Sequence, residues 1–138
     1  MGAAAAVIGT RFKATPEFGP LSNLDAEQKA ALAESDGDDT VHGAITDIAI
    51  GMTWPPGIAG RVLRNRFTTD WLGRENELRQ AVAAGPGPYS WTSQHNQDQD
   101  TVLNWAGESA GLIDRVRPAA EIVEETVRDA ESLLRVVA

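Results

Sequence analysis

The sequence contains no cysteine among its 138 residues. Disulfide frameworks, thiol catalysis and cysteine-based zinc sites are therefore excluded. Basic residues are few as well: 12 Lys and Arg stand against 20 Asp and Glu, which gives a net charge of −8. Because an acidic surface repels phosphate backbones, broad binding to nucleic acids or to anionic membranes is not expected.

Long apolar runs are also missing. The longest one, residues 3–8, is far shorter than the roughly 20 residues of a membrane span. Residues 1–3 offer no basic region of the kind that opens a signal peptide. The sequence therefore predicts a soluble, cytoplasmic chain, and its length suits one ordinary domain core.

The apolar run over residues 3–8 has no polar alternation, which is typical of a parallel strand covered on both faces. Almost nothing precedes this predicted strand, so its neighbours in a sheet are expected to come from elsewhere. The elements predicted next are a helix over 24–35 capped by Ser22 or Asn23, a β-branched strand over 40–50, a turn at 54–57, a strand end or short helix over 61–67, and a helix from Thr68 or Thr69 to about Val82.

The last third of the chain begins with a long polar connection rich in proline and glycine, residues 83–97, whose length indicates a functional or mobile loop. A short helix is predicted over 101–105. The final helix is predicted to begin near Pro118 and to be supported by the pairs Glu124–Arg128 and Glu131–Arg135. Its apolar stripe consists of Ile122, Val123, Val127, Ala130, Leu133 and Leu134.

Three segments of the sequence resemble, in the same order, segments of the nitronate monooxygenase family, formerly called 2-nitropropane dioxygenases. They are residues 2–17 with Gly9-Thr10-Arg11-Phe12, residues 61–67 followed by Trp71, and residues 105–123 with Trp105-Ala106-Gly107-Glu108. A single Gly-Thr-Arg-Phe is a weak signal. The ordered set spans nearly the whole chain and is fairly specific.

The resemblance implies an α/β fold: the C-terminal portion of an FMN-binding (β/α)8 TIM barrel with its small inserted helical domain, mostly helical as it stands. Residues 1–20 would supply the last barrel strand and its phosphate loop. Residues 21–100 would form the inserted substrate-covering domain, and residues 101–138 the C-terminal barrel helix region. Because such barrels need roughly 250 residues, most of the barrel has no counterpart in this sequence.

Gly9 and Thr10 are candidate ligands of the FMN phosphate. Backbone N–H groups at the C-terminal end of a barrel strand can cradle a phosphate, and the threonine adds a hydroxyl donor. On residue chemistry alone, a plain turn at a strand end is the favoured interpretation of these two residues. The resemblance favours the phosphate site, although the family's other phosphate-binding glycines lie on a strand that this sequence lacks.

Gly107 and Glu108 match a place where the family usually carries Gly-Gln close to the flavin, so the resemblance makes them cofactor-binding candidates too. The change to Glu108 matters because a phosphate repels a carboxylate, whereas an amide can donate a hydrogen bond. Either Glu108 points elsewhere, or this chain binds flavin less well. The alternative is that the pair only begins a helical turn.

No catalytic residue is assigned, because the family's catalytic histidine lies on a barrel loop without a counterpart here. His42 is predicted on a strand surface and His95 in a polar loop, and no metal site is expected. Three arginines form the concentrated positive charge of the chain; they suit an oxyanion, or ion pairs with Asp70 or Glu75. They are Arg61, Arg64 and Arg66. The tryptophans are predicted as core or domain-interface anchors rather than flavin-stacking groups: Trp54, Trp71, Trp91 and Trp105.

The function that the resemblance implies is the FMN-dependent oxidation of alkyl nitronates by dioxygen. A flavin-dependent enoyl-acyl-carrier-protein reductase is the alternative among enzymes, since its barrel shares the Gly-Thr-Arg-Phe strand. A third hypothesis is a non-catalytic fragment that works only with a companion chain. An unpaired first strand would be the site of that association, or of self-association.

Overall fold

The structure is a computed structural model that describes residues 5–19, 26–85 and 100–137. Helices account for more than half of these residues, which confirms a mostly helical chain. The elements are α1 (Thr10–Lys13), α2 (Ala26–Glu34), β1 (Thr40–His42), α3 (Ile45–Ile50), β2 (Arg61–Leu63), α4 (Arg66–Trp71), α5 (Glu75–Ala83) and α6 (Ala119–Val137), with 3-10 turns at Pro16–Phe18, Gly37–Asp39 and Glu108–Leu112.

The described strands form a two-stranded antiparallel sheet, in which Val41 of β1 lies opposite Val62 of β2. On its other side, Val62 pairs with Trp105 through an isolated antiparallel bridge. Backbone hydrogen bonds extend this contact: Leu63 N donates to Asn104 O at 2.9 Å, and Ala106 N donates to Arg61 O at 3.1 Å. The helix predicted over 101–105 is therefore wrong: Asn104 and Ala106 form backbone hydrogen bonds with β2 instead.

Two apolar clusters form the core. One joins α2 and β2 to the segment around the third 3-10 turn, and its buried members are Ala14, Leu32, Leu63, Ala106, Ala110 and Ile113. The other joins α3, α4 and α5, and its buried members are Ile45, Ala49, Phe67 and Leu78. Trp71 packs against the second cluster, as expected of an anchor. We call α3, α4 and α5, packed around the second cluster, the helical unit.

The strand predicted over 40–50 is correct only for Thr40–His42; residues Ile45–Ile50 form α3. Ile45 and Ala49 are one helical turn apart, and both pack in the cluster with Phe67. Gly51 ends α3 in the left-handed region at φ 71°, and its N–H bonds the last turn. Burial of one helical face therefore outweighs the β propensity of the isoleucines.

The single helix predicted up to Val82 is two helices, α4 and α5. α4 begins earlier than expected because Asn65 is its cap: the Asn65 side chain accepts from Thr68 N at 3.1 Å, and Thr68 Oγ1 accepts from Asn65 N at 2.9 Å. Gly73, at φ 81°, lies in the break between the two helices. This reciprocal capping box had been missed because threonine was expected to be the cap.

The described part of the predicted first strand, residues 5–8, forms no strand, and Val7 is fully exposed. A lone strand has no hydrogen-bonding neighbour among the described residues, so its backbone gains nothing from pairing. The association through this segment stays a prediction. Gly9 is followed directly by α1, which places Thr10 and Lys13 in one helical turn.

The remaining predictions concern turns and the helices α2 and α6. α2 falls within the predicted helix, while its predicted caps and residues 86–97 of the long loop lie outside the described residues. The turn at 54–57 forms, with Ile58 N donating to Pro55 O at 3.1 Å. Among the described helices, none is both long and apolar enough to cross a membrane.

The final helix, α6, begins directly after Pro118, where Glu17 Oε1 accepts from Ala119 N at 3.0 Å. Of the predicted pairs, Glu131–Arg135 forms at 4.0 Å, whereas Arg128 contacts Glu125 at 3.8 Å instead of Glu124. Ile122 of the predicted apolar stripe is buried. The others with a described exposure are not, and Val123, Val127, Leu133 and Leu134 are 50–70% exposed.

Candidate functional site

Two of the segments that the sequence assigned to the cofactor meet in the structure. The Gly107 N–H donates to Thr10 Oγ1 at 2.9 Å, across 97 positions of sequence. Gly9 and Thr10 stand at the start of α1, and Gly107 precedes the 3-10 turn Glu108–Leu112. Three of the four predicted cofactor residues therefore lie side by side, as the hypothesis requires.

A cavity of about 420 Å³ opens at this meeting point. It is lined by Gly9, Thr10, Lys13, Phe18, Arg61, Trp105, Ala106 and Gly107. No atom lies within 4 Å of where a side chain at Gly9 would begin, so the backbone there faces open space. The lining combines an aromatic part, Phe18 and Trp105, with two cationic side chains, Lys13 and Arg61.

Lys13 is a member of this site that the sequence analysis missed. Its Nζ donates to Asn104 Oδ1 at 3.2 Å and also to the Trp105 carbonyl oxygen. Burial lowers the pKa of the Lys13 ammonium to about 8. Asn104 is itself buried and fixed, because its Nδ2 donates to Gln28 O at 2.8 Å. Lys13 is thus held against the cavity wall by the segment that pairs with β2.

Arg61, the first residue of β2, is the member of the arginine group that lines this cavity. Its Nη1 donates to Thr40 Oγ1 at 2.9 Å, and its Nη2 pairs with Glu108 Oε1 at 2.9 Å. For Arg61, the expected ion pair therefore exists, but the acid is Glu108 rather than Asp70 or Glu75. Arg64 lines a different cavity, of about 220 Å³, formed with α2 and Asn65.

Glu108, the fourth predicted cofactor residue, lies beside the cavity. It opens the 3-10 turn, so the predicted helical start is present. Its side chain is 70% exposed and is directed to Arg61. The ion pair offsets the negative charge that had been expected to oppose a phosphate at this position.

His42 and Trp54 do not line this cavity and make contacts elsewhere. His42 is exposed on β1, as predicted, and its Nε2 lies 3.1 Å from Ala59 O. Trp54 is nearly half exposed and donates to Asp47 Oδ1 at 3.1 Å, so it is a surface residue rather than a core anchor. His95 and Trp91 lie outside the described residues. In the described part of the chain, no three metal-ligating side chains gather into a group.

These residues fit the phosphate group of FMN. Open backbone at Gly9, the Thr10 hydroxyl and two cationic side chains around one cavity are the donors that a phosphate needs. Two of the chain's 12 Lys and Arg residues, Lys13 and Arg61, line this one cavity.

No family model matches the sequence. Among solved structures, FabK from Thermotoga maritima superposes with a TM-score of 0.62 at 21% identity, covering 94% of this chain and 37% of that one. A mutant of the same FabK gives a TM-score of 0.58 at 26% identity, covering 94% and 34%. Among curated proteins, a nitronate monooxygenase of Neurospora crassa is 29% identical over 141 residues, which is 98% of this chain and 34% of that protein.

This chain has the fold of part of FabK, and a curated relative is an oxidoreductase. More particularly, the chain is related to the nitronate monooxygenase (2-nitropropane dioxygenase-like) family and fits its C-terminal portion, which confirms the relationship predicted from the three segments. It spans about one third of the length of the relatives that it matches. A closed barrel does not occur within the described residues.

Proposed function

We propose that this chain forms one side of the FMN phosphate site in an FMN-dependent oxidoreductase of the nitronate monooxygenase type. The observation that carries the proposal is the hydrogen bond from Gly107 N–H to Thr10 Oγ1, which joins both predicted cofactor segments at one cavity. When bound, FMN would take electrons from an alkyl nitronate and pass them to dioxygen.

The residues of this chain would bind and orient the phosphate. Because the Thr10 oxygen accepts the Gly107 N–H, the hydroxyl proton of Thr10 is left to donate to a phosphate oxygen. Lys13 and Arg61 supply charge-assisted donors from α1 and β2. The site is thus assembled from three separate stretches of sequence that tertiary packing brings together.

The phosphate site can be tested with two flavins that share a ring system. FMN carries a phosphate and riboflavin does not, so we expect the chain to bind FMN about tenfold or more tightly, on the scale of charged hydrogen bonds. Titration followed by flavin fluorescence and by NMR shifts at Gly9, Thr10 and Gly107 measures both affinity and place. Equal affinities for the two flavins would rule out the proposed phosphate site.

The isolated chain is expected to have no nitronate oxidation activity. His42, the histidine that the structure describes, does not line the cavity, no base is assigned there, and the chain covers only 34% of its curated relative. The measurement is oxygen consumption with an alkyl nitronate and added FMN, with a complete nitronate monooxygenase as positive control. Turnover by the isolated chain with stoichiometric FMN would contradict this prediction. Oxidation of NAD(P)H with an enoyl thioester would instead support the reductase alternative.

A further inference from the structure

Arg61 lines the phosphate cavity, yet one of its guanidinium nitrogens already holds an oxyanion. Nη2 lies 2.9 Å from Glu108 Oε1. A carboxylate and a phosphate present similar planar or near-planar pairs of oxygen atoms to a guanidinium group, and arginine binds both in the same way. The donor that a phosphate at this cavity would use is therefore engaged by the protein itself.

Arg61 is held in place by contacts that do not involve Glu108. Nη1 donates to Thr40 Oγ1 at 2.9 Å, and the backbone of Arg61 pairs with His42 in the sheet. The Arg61 carbonyl oxygen also accepts from Ala106 N at 3.1 Å. If the carboxylate moved away, the guanidinium group would still face the cavity.

Glu108 is free to move where Arg61 is not. Its side chain is 70% exposed, and an exposed ion pair contributes only about 0–1 kcal/mol. The turn that carries Glu108 has its own supports, because Gly107 N bonds Thr10 Oγ1 and Ala110 N donates to Gly107 O at 3.0 Å. Rotation of the Glu108 side chain into water therefore leaves the backbone of the site unchanged.

We propose that Glu108 competes with the anion of this cavity for Arg61. Its carboxylate occupies the guanidinium group until a phosphate oxyanion displaces it. The proposal rests on the phosphate site proposed above and adds to it a residue that sets its affinity. It also gives a physical role to the glutamate that stands where the related family usually has glutamine.

The test measures how tightly the variants E108A and E108Q bind inorganic phosphate and FMN. Both variants remove the competitor, and we expect each to bind phosphate about threefold to tenfold more tightly than the wild-type chain, the loss of one exposed ion pair and one negative charge. The matched control is E124Q, which removes the same charge from the exposed face of α6. Its affinity should equal that of the wild type.

A double-mutant cycle separates competition from general repulsion. In an R61Q background, E108A is expected to give no gain in phosphate affinity, because the guanidinium group for which Glu108 and phosphate compete is absent. A gain that persists in R61Q and fades at high salt would show repulsion only and would overturn the proposal. A gain in E108Q without one in E108A would also overturn it, since it would mark the amide as a donor.

Failure of this proposal is distinguishable from failure of the phosphate site. If wild-type chain prefers FMN to riboflavin but E108A and E108Q bind no more tightly, the site stands and the competitor is rejected. If none of the variants binds phosphate or distinguishes the two flavins, both are rejected. Circular dichroism spectra that match the wild type ensure that each variant is folded.

Discussion

Phe67→Ala is expected to lower the free energy of unfolding by about 3–5 kcal/mol, the usual cost of removing a buried aromatic ring. Phe67 is fully buried in the cluster with Ile45, Ala49 and Leu78, so it joins α4 to α3 and α5. A domain of this size has a total stability of only about 5–15 kcal/mol. The loss would therefore leave a large unfolded fraction at moderate urea concentrations.

Urea unfolding followed by tryptophan fluorescence measures this loss, since Trp71 packs against the same cluster. The control is Leu72→Ala, which removes a neighbouring apolar side chain that is 47% exposed. Surface changes of this kind stay within about 0.5 kcal/mol. If Phe67→Ala cost no more than Leu72→Ala, the second apolar cluster would not be the core of the helical unit.

Residues of the candidate site could be predicted from the sequence because the related family carries them in a fixed order. The resemblance predicts that one cofactor contacts Gly9, Thr10 and Gly107. In the structure, Gly107 N lies 2.9 Å from Thr10 Oγ1. Helices α2 and α6 were also predicted, because their apolar patterns lie within one continuous segment. Local signals were sufficient for these two helices, whereas the link between Thr10 and Gly107 came from the family resemblance.

Lys13 could not be found in this way. A strand followed by a loop was expected up to this residue, and that geometry gives no reason to place Lys13 beside Thr10. The observed helical turn at Thr10–Lys13 sets the two residues three positions apart on one face. The hydrogen bonds of Lys13 then go to Asn104 and Trp105, which are more than 90 positions away. Such contacts depend on how distant segments pack together, which local sequence patterns do not show.

The identity of the acid that pairs with Arg61 depended on tertiary structure for the same reason. Asp70 and Glu75 are near in sequence, and local spacing favoured them. Arg61, however, lies in β2, whose neighbours are set by sheet pairing with Val41 and bridging to Trp105. That pairing brings the turn starting at Glu108 within 2.9 Å of the guanidinium group. Local charge spacing therefore does not identify the partner of a residue whose neighbours are set by strand pairing.

Lys13 should make the stability of the chain rise with pH between about 8 and 10.5. Burial lowers the pKa of the folded-state ammonium from 10.5 to about 8. In that window the unfolded chain keeps the proton on Lys13 while the folded chain has released it. Because the unfolded state then binds more protons, the free energy of unfolding increases as the pH is raised, by about 3 kcal/mol when the window has been crossed.

The neutral amine preserves the local structure while this happens, since it still donates to Asn104 Oδ1 and to the Trp105 carbonyl oxygen. Urea unfolding of the wild type and of Lys13→Met from pH 7 to pH 10.5 isolates the effect, because all other titrating groups are common to both. The wild-type stability minus that of Lys13→Met should rise by about 3 kcal/mol across the window. A difference independent of pH would show that Lys13 is not buried as an amine at this wall.

Saturating phosphate should oppose this rise, because a bound oxyanion favours the charged form of Lys13 and so raises its pKa. The pH window would then move upward and narrow, and phosphate affinity would fall as the pH passes 8. Lys13 thus links the stability of the chain to the charge of whatever occupies the cavity that it lines.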